Sequence, residues 1–181
     1  MRRVRCSLRP GAALCLALAW FLDENGLVAA ALAAAAVHES GHILALRRCG
    51  AHITRVTLGL AGAEIGYAGA LTRREEGLAA AAGPAFGALW ALFALTPGGF
   101  LARSGAASAV LTVFNLLPVL PLDGGRLLAV LAGEGRARRV SRAAALLLLA
   151  AGAALCLVFH TPWLLLSAAW LTLCNFCSSE T

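Results

Sequence analysis

His38, Glu39 and His42, in the run His38-Glu39-Ser40-Gly41-His42, are the residues of this chain whose types and spacing most directly support chemistry. On a helix, two imidazoles four positions apart project from one face about a turn apart, where they can share one metal ion. By the helix period Glu39 is rotated about 100° from His38 but only about 60° from His42. Its carboxylate can therefore stand beside such an ion and polarise a bound water. Two ligands and a base in this order form the motif used for metal-dependent peptide hydrolysis. So short a pattern also arises by chance. Its surroundings weigh against chance, because the run lies in an apolar stretch where ionisable groups without partners are costly to bury.

A catalytic zinc takes about three protein ligands and keeps a position open for water, so a third ligand is expected elsewhere in the chain. Asp123 is the candidate, in the run Asn115-Leu116-Leu117-Pro118-Val119-Leu120-Pro121-Leu122-Asp123-Gly124-Gly125. Two prolines and two glycines interrupt an apolar span there, and irregular backbone within a membrane is tolerated only where protein covers it or it lines a cavity. The competing reading of Asp123 is a turn residue beside glycines. Asn115, in the same run, suits an amide donor to developing negative charge, and an inert packing amide is its rival.

The elements that must position these residues follow from composition. Hydrophobic residues make up 60% of the 181, charged residues 13%, and mean hydropathy is +0.81, which leaves too little polar surface for a soluble domain. The fold class expected is an α-helical polytopic membrane protein forming a single membrane-embedded domain over 1–181. About six transmembrane helices are predicted near 10–22, 26–46, 77–97, 105–131, 143–160 and 162–177. Met1 to Leu22 has the basic start and apolar run of a signal peptide, but no small-residue cleavage site precedes Asp23, so an uncleaved first span is expected.

The net charge of +6 arises from arginine without lysine, and arginine-rich loops stay cytoplasmic. Arg2, Arg3, Arg5 and Arg9 precede the first span. Arg47, Arg48, Arg55, Arg73 and Arg74 lie between the second and third, and Arg136, Arg138, Arg139 and Arg142 between the fourth and fifth, with Arg103 alone clearly outside. Both termini are thereby expected in the cytoplasm, with Trp20 and Trp163 near the outer boundary. His42 and Asp123 each lie a few residues before an arginine, which puts the three candidate ligands in one leaflet.

His52 to Leu71 alternates, is β-branched and carries glycines, so it predicts a β-hairpin or small sheet between helices two and three. Its edge can pair with an extended substrate, or it can be a plain connector. The six cysteines sit in or beside apolar runs and are expected as thiols. The pair Cys174 and Cys177 has redox or zinc spacing but no second pair. His52 and His160 read as interface residues, and Glu64 as solvated or touching substrate. Arg136 to Arg142 can meet acidic headgroups, although topology already accounts for these arginines, and no nucleic-acid footprint is present.

The His38–His42 and Asn115–Gly125 motifs together resemble the site-2 protease family, peptidase family M50, and within it the branch of stage IV sporulation protein FB. Ala82-Gly83-Pro84 is similar to a small-residue motif of that family, and the resemblance covers most of the chain. It implies one zinc ion (Zn2+) per chain held by His38, His42 and Asp123, with Glu39 as general base and Asn115 holding substrate or stabilising the oxyanion. It further implies a cell-membrane metalloendopeptidase that cuts a membrane-tethered protein near the cytoplasmic face, with the lipid bilayer and inhibitory membrane proteins as partners. No CBS or PDZ domain is expected, and the resemblance implies regulated intramembrane proteolysis, with a pro-sigma factor in sporulation as one substrate class. The alternatives are a non-catalytic zinc-binding membrane scaffold and, with less support from polar residues, a zinc carrier.

Overall fold

A computed structural model describes residues 4–59, 62–160 and 162–177, except the side chains of Trp163 and Cys177. Arg2, Arg3, the Trp163 indole and the Cys177 thiol, used in the reading above, lie outside the described residues. The chain divides into two compact units, Met1–Val113 and Phe114–Thr181.

The first unit begins with β1 (Arg5–Leu8), which the sequence did not announce, followed by α1 (Pro10–Phe21), whose Pro10 suits a first helical turn. Helix α2 (Leu27–Arg48) starts where the Asp23 carboxylate accepts the backbone N–H of Leu27 at 2.9 Å and of Val28 at 2.8 Å. The expected hairpin is present as β2 (His52–Gly59) and antiparallel β3 (Gly62–Ala68). It belongs to a larger sheet of order β1-β2-β3, with β1 parallel to β2 in the register Cys6 to Val56. Ser7 and Thr57 hydroxyls meet across that pair at 2.9 Å. β2 is therefore the central strand, and β3 offers the hairpin's outer edge.

Helix α3 (Arg73–Ala91) starts ahead of the predicted 77 because Thr72 and Glu75 form a reciprocal capping box. It continues as a 3-10 turn, Leu92–Leu95, before α4 (Gly99–Asn115). A small core of Leu46, Ala51 and Ala79, joined by Ile53 and Ile65, ties α2 and α3 to the sheet.

The predicted span 105–131 proves to be two helices, the second of which belongs to the second unit. α4 ends at Asn115 and α5 runs from Asp123 to Ala132, because Pro118 and Pro121 lack the N–H that a continuous helix needs. Helix α6 (Glu134–Phe159) begins earlier than the predicted 143 and takes the arginines Arg136 to Arg142 into its first turns. α7 (Trp163–Cys177) follows. Val119, Ala145 and Leu171 form this unit's core, with Leu117, Leu122 and Leu148 against it.

Among the described residues, three helical stretches are long and apolar enough to cross a membrane, namely Leu27–Arg48, Arg73–Leu95 and Glu134–Phe159, while α1 and α7 are shorter apolar helices. Large side chains such as Phe21, Leu95, Leu131 and Leu157 stand outward at 75 to 85% exposure, a surface that suits lipid rather than water.

Candidate metal centre

The first unit pairs the two imidazoles. His38 and His42, both buried on α2, bring their Nε2 atoms to 3.2 Å. Nδ1 of His42 lies 2.7 Å from the carbonyl oxygen of Ala79 on α3, and a carbonyl only accepts, so the ring proton sits on Nδ1. That leaves the Nε2 lone pair directed toward His38, the way a carbonyl partner commonly orients a ligating histidine. A tetrahedral zinc with bonds of about 2.0–2.1 Å keeps two nitrogens roughly 3.3 Å apart, so the observed spacing fits two ligands of one ion. Glu39 is half-buried on the same helix.

Small residues on α3 make room for this pair. A Cβ on Gly83 would lie 2.1 Å from His42 Nε2, and one on Gly87 would lie 2.4 Å from Thr112 Oγ1 and 3.5 Å from His38 Nδ1. In turn Gly41 on α2 lets the carbonyl of Ala82 approach, where a Cβ would come to 2.5 Å. The Ser108 hydroxyl of α4 donates to the carbonyl of Gly87 at 2.8 Å and fixes α4 behind α3. The Ala82-Gly83-Pro84 motif is therefore the seat of the imidazoles.

In the second unit Asp123 is the first residue of α5, buried, with its carboxylate at the helix N-terminus, where the backbone N–H groups favour negative charge. Arg126 Nη1 stands 3.7 Å from Asp123 Oδ1. Asn115 is half-buried at the end of α4. Gly124 and Gly125 press on the preceding turn, where Cβ atoms would meet the Leu116 carbonyl oxygen at 2.2 Å and Val119 at 2.6 Å. The aspartate thus enters a helix folded tightly on the Pro-containing segment.

Two residues that sequence reasoning missed hold that segment. The Leu120 N–H donates to Ser141 Oγ at 2.7 Å, and Asn175 Nδ2 donates to the Leu120 carbonyl at 2.5 Å and to that of Leu171 at 2.9 Å. The Ser141 hydroxyl closes the loop by donating to Asn175 Oδ1. Both backbone groups of Leu120 are thereby satisfied from α6 and α7. The signal was present, since Asn175 is a lone amide in an apolar helix, but it lies between Cys174 and Cys177, whose spacing drew attention instead.

The remaining candidates lie outside this chemistry. His52 opens β2 and His160 ends α6, both exposed. Glu64 on β3 is exposed and paired with Arg9 at 2.9 Å and Arg55 at 3.5 Å. Cys6, Cys15, Cys49 and Cys156 are unbridged thiols.

Known proteins similar to this chain point to one family and one fold. The family described as Peptidase family M50 matches residues 96–159. Rip3 of Mycobacterium tuberculosis, in strains Erdman and H37Rv, named as a candidate zinc metalloprotease, is 36% identical over 159 residues. That match takes in 75% of this chain, which spans 40% of the length of the relative. The solved site-2 protease from Methanocaldococcus jannaschii shares the fold, with a TM-score of 0.67 over 93% of this chain and 86% of its own, at 18% identity. These matches carry the site-2 protease part of the resemblance and not the sporulation branch. The chain is thus similar to peptidase family M50 over residues 96–159 and to Rip3 over a longer stretch, and it shares the fold of the solved site-2 protease.

Proposed function

We propose that this protein is an intramembrane zinc metalloendopeptidase that cuts a membrane-tethered protein near the cytoplasmic face. The observation that carries the reading is the imidazole pair: two buried Nε2 atoms 3.2 Å apart, with His42 locked by a backbone carbonyl and a glutamate next in sequence to His38. In this reading Asp123 supplies the third ligand to a single zinc, and both units work as one catalytic domain. Its support is the donor chemistry of a carboxylate buried in an apolar chain, where ionisable residues mark functional sites.

Zinc at such a site supplies Lewis acidity, which acidifies water and polarises a peptide carbonyl. Glu39 takes the proton from the attacking water and later gives it to the leaving amine. The Asn115 amide donates a hydrogen bond to the oxygen that gains negative charge. A substrate helix must first be unwound, and the outer edge of β3 offers backbone groups that pair with the freed strand. In this reading the arginines at the ends of α2, α3 and α6 lie on the cytoplasmic side by the positive-inside rule, with both termini there and the chain multi-pass in the cell membrane.

Glu39→Gln tests the role of the base. Co-expressed with candidate single-span proteins, the wild type is expected to shorten one of them. The variant should retain zinc and leave that protein intact. Cleavage by the variant would remove Glu39 from the mechanism, whereas zinc binding with no cleavage by either form would identify a scaffold.

A further inference from the structure

A cavity of about 380 Å³ lies within the second unit, lined by Arg126 of α5, Arg138 and Arg142 of α6, the Leu120–Pro121 turn and Asn175 of α7. Its size falls at the lower end of the roughly 300–1,000 Å³ range of small-molecule sites. Three guanidinium groups from two helices border one space, and the carboxylates near them are fewer. Glu134 pairs with Arg138 at 3.2 Å, Asp123 stands 3.7 Å from Arg126, and the Arg142 guanidinium lies over the Phe176 ring at 5.4 Å. The cavity is therefore electropositive. Guanidinium forks suit the oxygens of a phosphate, which they can bind in pairs.

The position along the chain narrows the ligand. Arg142 is the last charged residue before the uncharged run Ala143–Phe159, in a helix long enough to cross a membrane. These arginines thus sit where an apolar span meets its polar boundary, the depth of lipid headgroups. Topology alone asks for arginine at that end. It does not ask that arginines of two helices converge on one cavity.

We propose that this cavity binds the phosphate of an anionic lipid headgroup. The chemistry recognised is a phosphate diester in a headgroup of net negative charge, without the cation that neutralises phosphatidylcholine, and free inorganic phosphate is the other source of similar chemistry. This inference does not depend on proteolytic activity.

The test uses the full chain in neutral detergent, with its thermal unfolding midpoint followed against dihexanoyl phosphatidylglycerol, dihexanoyl phosphatidylcholine or inorganic phosphate. The phosphatidylglycerol should raise the midpoint saturably and the phosphatidylcholine should not. In R138Q/R142Q the half-saturating concentration should rise roughly tenfold or more, the size expected for two lost basic contacts. R126Q, on the other helix, should weaken binding in the same direction. R136Q/R139Q removes equal charge outside the cavity and should stay within about twofold of wild type. An equal loss in both double variants, or no response to phosphatidylglycerol, would overturn the proposal. Inorganic phosphate acting as well as the lipid would overturn its assignment to a headgroup.

Discussion

Nδ1 of His42 and the carbonyl oxygen of Ala79, 2.7 Å apart, join α2 to α3 and determine which nitrogen of the imidazole faces His38. The bond does for the ring what a neighbouring side chain does in many metal sites: it fixes the tautomer and the tilt. It works only because α3 comes close, and α3 comes close because its facing residues are small.

Gly83→Ala is predicted to abolish zinc binding while leaving the helices folded. The added carbon would lie 2.1 Å from His42 Nε2, so the imidazole must leave its place. Elemental analysis should find far less than one zinc per chain, with helical circular dichroism unchanged. Gly135→Ala, which meets nothing within 4 Å, serves as the control and should keep its metal. A Gly83→Ala protein with full zinc would show that the imidazole has room to move.

Removal of zinc should lower the unfolding midpoint of the wild type, and its return should restore it. A ligand at 100 times its dissociation constant stabilises by about 2.7 kcal/mol. His38→Ala and His42→Ala should lose this response, and Asp123→Ala should share the loss if the carboxylate is the third ligand. Arg126→Gln should retain it, since its guanidinium stands 3.7 Å from Asp123 and is half exposed. An unchanged zinc response in Asp123→Ala would remove that residue from the ligand set.

Ser141→Ala and Asn175→Leu should each destabilise the second unit by about 1–3 kcal/mol, because each leaves a backbone group of Leu120 without its partner. Thermal unfolding in detergent measures this. Asn175→Leu should also reduce cleavage, because the turn it holds leads directly into Asp123. Unfolding midpoints equal to wild type would show that other groups replace the clamp.

The Asp23 carboxyl is held below the usual carboxylate range, chiefly by the backbone N–H of Val28, with Leu27 and Asn25 adding to it. A depressed value in the folded chain means the contact stabilises above the ordinary carboxylate pKa and loses its effect as pH falls through the lowered one. Carboxyl-carbon NMR should show Asp23 titrating below the ordinary value of about 3.9. The Val28 amide should follow the same midpoint. A midpoint at or above the ordinary value would mean that the cap at α2 is not formed in solution.

Local pattern decided much of this protein. The spacing of His38 and His42 makes them neighbours on any helix, because one turn brings positions four apart together, and the apolar character of the chain announced membrane-length helices. The alternation of Ile53 to Leu58 announced the hairpin, and the prolines and glycines around Asp123 announced a break. What required the tertiary structure depends on partners distant in sequence. β1 is a strand only because Val56 and its neighbours, fifty residues on, supply its hydrogen bonds. Ala79 orients His42 from another helix through a backbone oxygen that no side-chain pattern records. Asn175 reaches Leu120 across 55 positions, so its role was hidden between two cysteines whose spacing was the more visible signal. Short-range periodicity is written into the order of residues, whereas contacts between helices depend on how closely small residues let them approach.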